Sequence, residues 1–305
     1  MILYKQRRFS ELINDTITFL RENGKHFLTL YIQTVGIPWL VMMPFMYYYY
    51  KYSSITSQLG LGEKQLDKEI MLFFDKYPEL TIVLIVIFIL SALIFSVLQN
   101  SFIPAYFYYY QQRGKNFTVR EIFEFIKERW LRILIYMVIA LVMSIPLLLG
   151  ALVASVLLLV TLVGIVLPWI VLYLWYELWF LDYMLDKRGI FESFSEASRM
   201  ISTRFWTYVG SAAIFMLISN IVMGGIALIV NLLFLLLSFQ SVKTGQSGDL
   251  ITSIYGIIMV LVDMSLKVFF QLLLGVLMGL IYFSAKEEMY QVSATGEIDQ
   301  IGKTE

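Results

Sequence analysis

Long apolar runs along this chain are separated by shorter segments in which apolar and polar residues recur at helical spacing. Several runs exceed the ~20 residues that an α-helix needs to cross a hydrocarbon layer of ~30 Å, and they are apolar on every side. The spans are predicted at about residues 27–50, 80–110, 131–155, 162–184 and 205–239, and within 251–284. The pattern therefore predicts an all-α polytopic membrane protein with about six transmembrane helices.

The clearest amphipathic segment covers residues 189–210. Its apolar face is formed by Phe191, Phe194, Ala197, Met200, Ile201 and Phe205, which follow helical periodicity. The opposite face carries Glu192, Ser195, Glu196, Ser198, Arg199 and Ser202. Looser versions occupy residues 9–23 and 117–130, and in the second one Thr118 and Glu121 form a capping-box pattern. The pattern predicts three interfacial helices.

Each amphipathic segment precedes a pair of spans, which divides the chain into three helix-plus-hairpin units. The units cover about residues 9–110, 117–184 and 190–285, and together they form one integral membrane domain over 1–285. A polar tail is predicted from residue 286 to residue 305. The units arise either from duplication of one ancestral unit or from the basic amphipathic linkers that are common between membrane hairpins.

The longest stretch of low charge, residues 131–184, allows two or three spans. Three spans of ~18 residues would leave no residues for loops and would move Lys187 and Arg188 to the opposite side of the membrane. We therefore predict two spans, joined by an apolar turn within residues 157–164.

Composition narrows the class of function. The chain has 305 residues, of which 59% are hydrophobic and 15% charged, whereas soluble domains carry about 25% charged residues. The formal net charge is zero, which indicates no nucleic-acid partner. Cysteine is absent, so disulfides, thiolate ligands and thiol nucleophiles are excluded. No phosphate-binding loop or metal-ligand spacing is present, and we expect no cofactor and no enzymatic activity.

The basic residues near the ends of the spans predict the orientation. Seventeen lysine and arginine residues lie beside the N-terminal segment, the second and third amphipathic segments and the tail, and five lie on the other side. Basic residues accumulate on the cytoplasmic side. The N- and C-termini and all three amphipathic segments are therefore predicted to be cytoplasmic.

Residues 167–210, LPWIVLYLWYELWFLDYMLDKRGIFESFSEASRMISTRFWTYVG, combine a proline-initiated span, a short basic turn, an amphipathic helix and an aromatic return to the membrane. This order resembles the integral-membrane domain attached to some bacterial glycerophosphoryl diester phosphodiesterases and its stand-alone relatives. The resemblance implies a domain of the bacterial cytoplasmic (inner) membrane with no established activity. A phosphodiesterase would need a soluble barrel, and a carotenoid oxygenase would need several histidines, whereas this chain has only His26.

Five polar residues inside the spans are candidates for an intramembrane polar site. Glu177 is either a proton or cation site or a structural hydrogen-bonding group. Asp263 and Lys267 lie one turn apart and can pair, either deep in the membrane or at its outer interface. Gln99 and Asn220 are amides of the kind that usually bond neighbouring helices.

The function predicted from these features is a non-enzymatic membrane scaffold or envelope-homeostasis component. Its expected partners are membrane lipids, which its interfacial helices contact, and a membrane protein. The alternative is a transporter or permease subunit whose small polar site includes Glu177, Asn220 and Gln99. A lipid-modifying intramembrane enzyme is a third hypothesis.

Overall fold

The computed structural model describes residues 1–59, 72, 75–159, 161–186, 188–244 and 248–292, and its regular structure is entirely α-helical. The helices are α1 (Phe9–Leu59), α2 (Pro78–Arg113), α3 (Val119–Leu157), α4 (Leu162–Leu185), α5 (Ile190–Thr203), α6 (Phe205–Thr244) and α7 (Gly248–Tyr290). Within these described ranges, six helices are long and apolar enough to cross a membrane, and α5 is not among them. The predicted all-α, multi-pass membrane protein is confirmed.

The hairpin of α3 and α4 confirms the choice of two spans for residues 131–184. Helix α3 ends at Leu157, and Thr161 caps α4 by accepting a hydrogen bond from the Gly164 backbone N–H at 3.1 Å. The two helices are joined laterally because the Tyr136 hydroxyl donates to the Tyr176 carbonyl at 3.0 Å.

The three amphipathic segments do not form equivalent helices, which corrects the sequence prediction. Residues 9–23 and 119–130 are the first turns of α1 and α3 and continue into their spans without a break. Only α5 is separate, because Arg204 leaves helical geometry with φ −140° and ψ 58°. The side chain of Arg204 lies 2.7 Å from the Glu288 carboxylate, so a tertiary ion pair accompanies this break.

Several helices extend further than their apolar runs suggest. Helix α1 continues to Leu59, beyond the span predicted at about residues 27–50, and α6 passes Gly224 and Gly225 without interruption. Helix α7 continues to Tyr290, and Lys286 and Glu287 on it are buried. The polar tail predicted from residue 286 therefore does not begin before the end of α7, and residues 293–305 lie outside the described residues.

The chain folds into two compact units. Unit 1 comprises Met1–Thr34, Asn100–Ile218 and the residues from Gln271 onward. Its core is aromatic: Phe19, Phe27, Tyr106 and Phe107 are fully buried, and the rings of Phe27 and Tyr106 meet edge to face at 4.8 Å. The aromatic end of α2, with Tyr106, Phe107 and Tyr110, therefore packs into the core.

Two glycines allow α7 to pack closely on α2 within unit 1. A Cβ atom on Gly275 would lie 2.8 Å from Ile103 Cγ1, and one on Gly279 would overlap the Phe107 ring. Real Cβ atoms essentially never approach this closely, so both positions need glycine. The GxxxG spacing therefore marks a packed helix interface.

Unit 2 comprises Val35–Gln99 and Ser219–Phe270. Large aliphatic side chains such as Ile82, Leu90 and Leu232 are exposed on it. An exposed apolar surface of this extent is typical of helices that face lipid.

Candidate functional site

A group of charges with a buried centre lies where α4, α5 and the C-terminal turns of α7 meet in unit 1. We call it the Lys286 cluster. It consists of Lys286, Asp182, Asp186, Arg188, Glu196, Arg199 and Tyr290.

Lys286 is the central cation of the cluster. Its side chain is 5% exposed, and its Nζ lies 2.7 Å from Asp182 Oδ1, 2.7 Å from Asp186 Oδ2 and 3.5 Å from Glu196 Oε1. A buried ammonium group is tolerated when opposite charges surround it. Helix α7 is therefore attached by its last turns to both α4 and α5.

Glu196 is the second centre of the cluster. It accepts a hydrogen bond from the Tyr290 hydroxyl and pairs with Arg188 at 3.0 Å and Arg199 at 3.4 Å. Burial favours the neutral acid, but the Tyr290 hydrogen bond and the charges of Lys286 and the arginines outweigh it and lower the pKa of Glu196. Glu196 is therefore ionised at neutral pH.

The buried face of α5 contains Ala197, Met200 and Ile201, as predicted, and also Ser193 and Glu196, whereas Phe191 is exposed. Glu196 was predicted to lie on the solvent face, and this assignment was wrong. It lies beside Ala197 at the edge of the apolar stripe, and the cations of α7 and the α4–α5 connection compensate its burial.

Arg132 supports the cluster from α3. Its guanidinium donates to the Tyr183 carbonyl at 2.7 Å and to the Arg188 carbonyl at 2.8 Å, and it stacks 4.3 Å from the Tyr183 ring. A cation at the C-terminal end of a helix satisfies carbonyls that have no helical partner and complements the helix dipole. Arg132 therefore fixes the end of α4 from which Asp182 and Asp186 project.

Arg7 is a second buried cation in unit 1. It is fully buried, and it donates to Asp15 at 2.8 Å and to the carbonyls of Ile2 and Leu3, each at 2.7 Å. The Arg7 backbone N–H also donates to Ser284 on α7 at 3.0 Å. The residues preceding α1 are thereby folded against α7.

His26 is half-buried, and both of its ring nitrogens have polar partners. Its Nδ1 lies 3.1 Å from the Tyr106 hydroxyl and its Nε2 lies 3.2 Å from the Phe117 carbonyl. Since a carbonyl only accepts, Nε2 carries a proton. His26 therefore links α1 to α2 and to the start of α3.

The five predicted polar residues belong to different units. Glu177 is a half-buried residue of unit 1, hydrogen bonded to Tyr173 one turn earlier on α4. The other four belong to unit 2. Asp263 and Lys267 pair at 2.7 Å, as predicted, with both side chains exposed; Gln99 is half-buried and Asn220 is exposed.

The Lys286 cluster was missed because its members are far apart in the sequence. One signal was available: Asp182 and Asp186 are carboxylates four residues apart at the end of a span, a spacing at which like charges repel. Such a pair favours a shared cation. Periodicity does not show that Lys286 is this cation.

The cluster joins helices of unit 1 through ion pairs between side chains. Three carboxylates meet three cations, and the Lys286 ammonium occupies the position between the acids. Among the residues that the structure describes, no group of three or more histidine, aspartate or glutamate side chains could hold a metal ion.

Aromatic side chains face outward around the amphipathic segments of unit 1. Trp206 is 73% exposed, Phe191 is 65% exposed and Trp130 is 56% exposed. Cations accompany them, since Lys127 is exposed on α3 and Arg199 on α5. This end of unit 1 therefore presents rings and positive charges on its surface.

Comparisons with known proteins found no match: no family model, no curated protein and no solved structure is similar to this chain. The resemblance carried by residues 167–210 therefore stays a prediction.

Proposed function

We propose that this chain is a non-enzymatic protein of the cytoplasmic membrane, a scaffold or envelope-homeostasis component with both termini in the cytoplasm. The observation that carries the proposal is the set of outward-facing rings in unit 1, chiefly Trp130, Phe191 and Trp206. Amphipathic rings concentrate at the level of lipid head groups. Unit 1 then carries the interfacial surface to which membrane lipids and a membrane-protein partner bind.

The distribution of positive charge supports this orientation. Arg8, Arg21 and Lys25 are exposed and belong to unit 1. Exposed cations near the ends of spans favour the cytoplasmic side and attract anionic lipids. The zero net charge of the chain makes nucleic acid an improbable partner.

The chemistry of the Lys286 cluster supports a structural role. General acid–base catalysis needs a group that exchanges its proton with a substrate within hydrogen-bonding reach. Lys286 and Glu196 are instead engaged with charged partners on neighbouring helices. The resemblance of residues 167–210 to a membrane domain of the cytoplasmic membrane is consistent with this role.

Transport is the second candidate function, and Glu177 is the observation that favours it. Its carboxyl group lies on a spanning helix, and its hydrogen-bonding partner is the neutral side chain of Tyr173. Ionisable residues inside spans often mark ion or proton pathways. A permease subunit would use this group to bind a proton or a cation.

Complementation of cells that lack the chain separates the two functions. We expect Trp130→Ala with Trp206→Ala to reduce resistance to osmotic and detergent stress, because the interfacial rings are lost. Glu177→Gln with Asp263→Asn should restore the wild-type resistance at equal protein level. If Glu177→Gln with Asp263→Asn fails to restore resistance while Trp130→Ala with Trp206→Ala restores it, the scaffold function is wrong and transport is favoured.

Sidedness is tested separately with a single cysteine, because the chain has none. A Lys25→Cys variant should react with an impermeant maleimide only after the cytoplasmic side has been opened. Labelling of intact cells would contradict the proposed orientation.

A further inference from the structure

Two like charges on the outward face of α1 stand one turn apart. Arg21 and Lys25 are both exposed. Within the described ranges, neither side chain has an ion pair or hydrogen bond. Like charges at this spacing destabilise a helix by about 0.2–0.5 kcal/mol. The pair is therefore unfavourable unless an anion neutralises it.

A third cation approaches the same place from the α2–α3 connection. Lys115 Nζ lies 2.6 Å from the Glu22 carbonyl oxygen on α1. The Glu22 side chain is the acidic neighbour, so Arg21, Lys25 and Lys115 leave this surface with an excess of two positive charges.

Apolar side chains continue the same face toward the span. Leu28 is half-buried, and Ile32 is 65% exposed. With 3.6 residues per turn, residues 21, 25, 28 and 32 fall within a sector of about 60°, and Ile32 lies about 10 Å beyond Lys25 along the helix axis. Positive and apolar contacts therefore follow one another along one helix face.

We propose that this α1 basic face, formed by Arg21, Lys25, Lys115, Leu28 and Ile32, binds an anionic phospholipid. The phosphate lies between Arg21 and Lys25, and an acyl chain follows Leu28 and Ile32. A molecule with an anionic head and an apolar tail contacts both halves of the face, whereas inorganic phosphate would use the cations alone. The inference rests on the proposed function, because it places this end of unit 1 at the membrane interface.

The α3 surface provides a matched control. Arg120, Glu124, Lys127 and Glu128 are all exposed there, and Arg120 pairs with Glu124 at 3.1 Å. Glu128 pairs with Arg129 at 3.5 Å, so the carboxylates of this surface compensate two of its three cations, Arg120, Lys127 and Arg129. Removing Arg120 and Lys127 changes the net charge of the chain by the same amount as removing Arg21 and Lys25.

The experiment measures lipid retention by the full chain in detergent, by native mass spectrometry, with dioleoyl-phosphatidylglycerol and dioleoyl-phosphatidylcholine as probes. We expect wild type to prefer the anionic lipid by about tenfold. Arg21→Gln with Lys25→Gln should bring the ratio close to one, and Arg120→Gln with Lys127→Gln should keep it. Thermal unfolding of each variant verifies folding.

Two results would overturn the proposal. One is a preference that survives in the α1 variant or falls equally in the α3 variant. The other is displacement of the anionic lipid by glycerol phosphate at similar concentration, which would indicate a site for the head group alone. The detergent assay does not depend on membrane sidedness, so a failed orientation in the cysteine-labelling experiment is distinguishable from a failed lipid site.

Discussion

Helix α7 carries two lysine–carboxylate arrangements with the same contact distance and different surroundings. Lys286 lies 2.7 Å from Asp182 and Asp186 and is 5% exposed. Lys267 lies 2.7 Å from Asp263 and is 65% exposed. Desolvation makes a buried charge costly unless every partner is present, whereas an exposed pair gains little from its attraction. Equal distances therefore correspond to unequal contributions to stability.

The two arrangements also differ in what they connect. Asp263 and Lys267 are four residues apart, so their contact follows from helix geometry alone. Lys286 contacts residues of α4 and α5 and needs the tertiary fold. Predictions about the cluster therefore test the packing of unit 1, and predictions about the exposed pair test only local structure.

The largest effect is expected for Lys286→Met. The change leaves Asp182, Asp186 and Glu196 without their central cation, and breaking a buried pair from one side typically costs about 3–5 kcal/mol. Thermal unfolding in detergent, followed by circular dichroism, should show a large fall in melting temperature. Lys267→Met on the same helix is the matched control, and equal losses in the two variants would contradict the comparison.

The next effect is expected for Glu196→Gln. Glutamine keeps a hydrogen-bond acceptor for Tyr290 but removes the negative charge that faces Arg188 and Lys286. We therefore expect the free energy of unfolding to fall by about 1–3 kcal/mol at neutral pH. Because the folded state lowers the pKa of Glu196, its stabilisation is present above the ordinary value of 4.5 and is lost as the pH falls through the lower folded-state value.

The pH profile gives this prediction a specific readout. Melting temperatures are compared between neutral pH and pH values below 4.5, with Glu192→Gln on the exposed face of α5 as the control. The difference between wild type and Glu196→Gln should shrink in acid. A difference that stays constant with pH would show that the Glu196 charge does not stabilise the fold.

An effect of similar size is expected for Gly279→Ala. Its Cβ would overlap the Phe107 ring, and forcing a methyl group into a packed contact costs about 1–3 kcal/mol. At Gly225 on α6 a Cβ would meet nothing within 4 Å, so Gly225→Ala should stabilise the helix by about 0.5–1 kcal/mol. Melting temperatures that move in the same direction would contradict the assigned packing.

The sequence predicts the helices well because lipid exposure needs long apolar runs. The spans follow from the apolar runs, the turn between α3 and α4 from the residues that two spans leave over, and α5 from the periodicity of residues 189–210. The continuity of α1 and α3 does not follow from the sequence. In each of them the amphipathic segment and the span are both helical, and no residue between them signals whether the helix breaks.

The candidate site could be predicted only where its contacts are local. Asp263 and Lys267 were predicted to pair because one helix supplies both. Lys286 was assigned to a polar tail, and Glu196 to an exposed face, because charge alone favours solvent. Their burial depends on partners from other helices, and no single-helix pattern contains that information.

The smallest effect is expected at the exposed pair itself. Asp263→Asn and Lys267→Gln, alone and together, form a double-mutant cycle on one face of α7. An exposed pair one turn apart should show a coupling of about 0.3–0.5 kcal/mol that decreases with added salt, because water and ions screen both charges. Gln33→Ala, an exposed change in unit 1, is the control for detergent effects.

A coupling above about 2 kcal/mol that is insensitive to salt would mean that the pair is desolvated in the membrane, as Lys286 is within the protein. In that case both lysines of α7 would be shielded from water, Lys267 by lipid and Lys286 by protein.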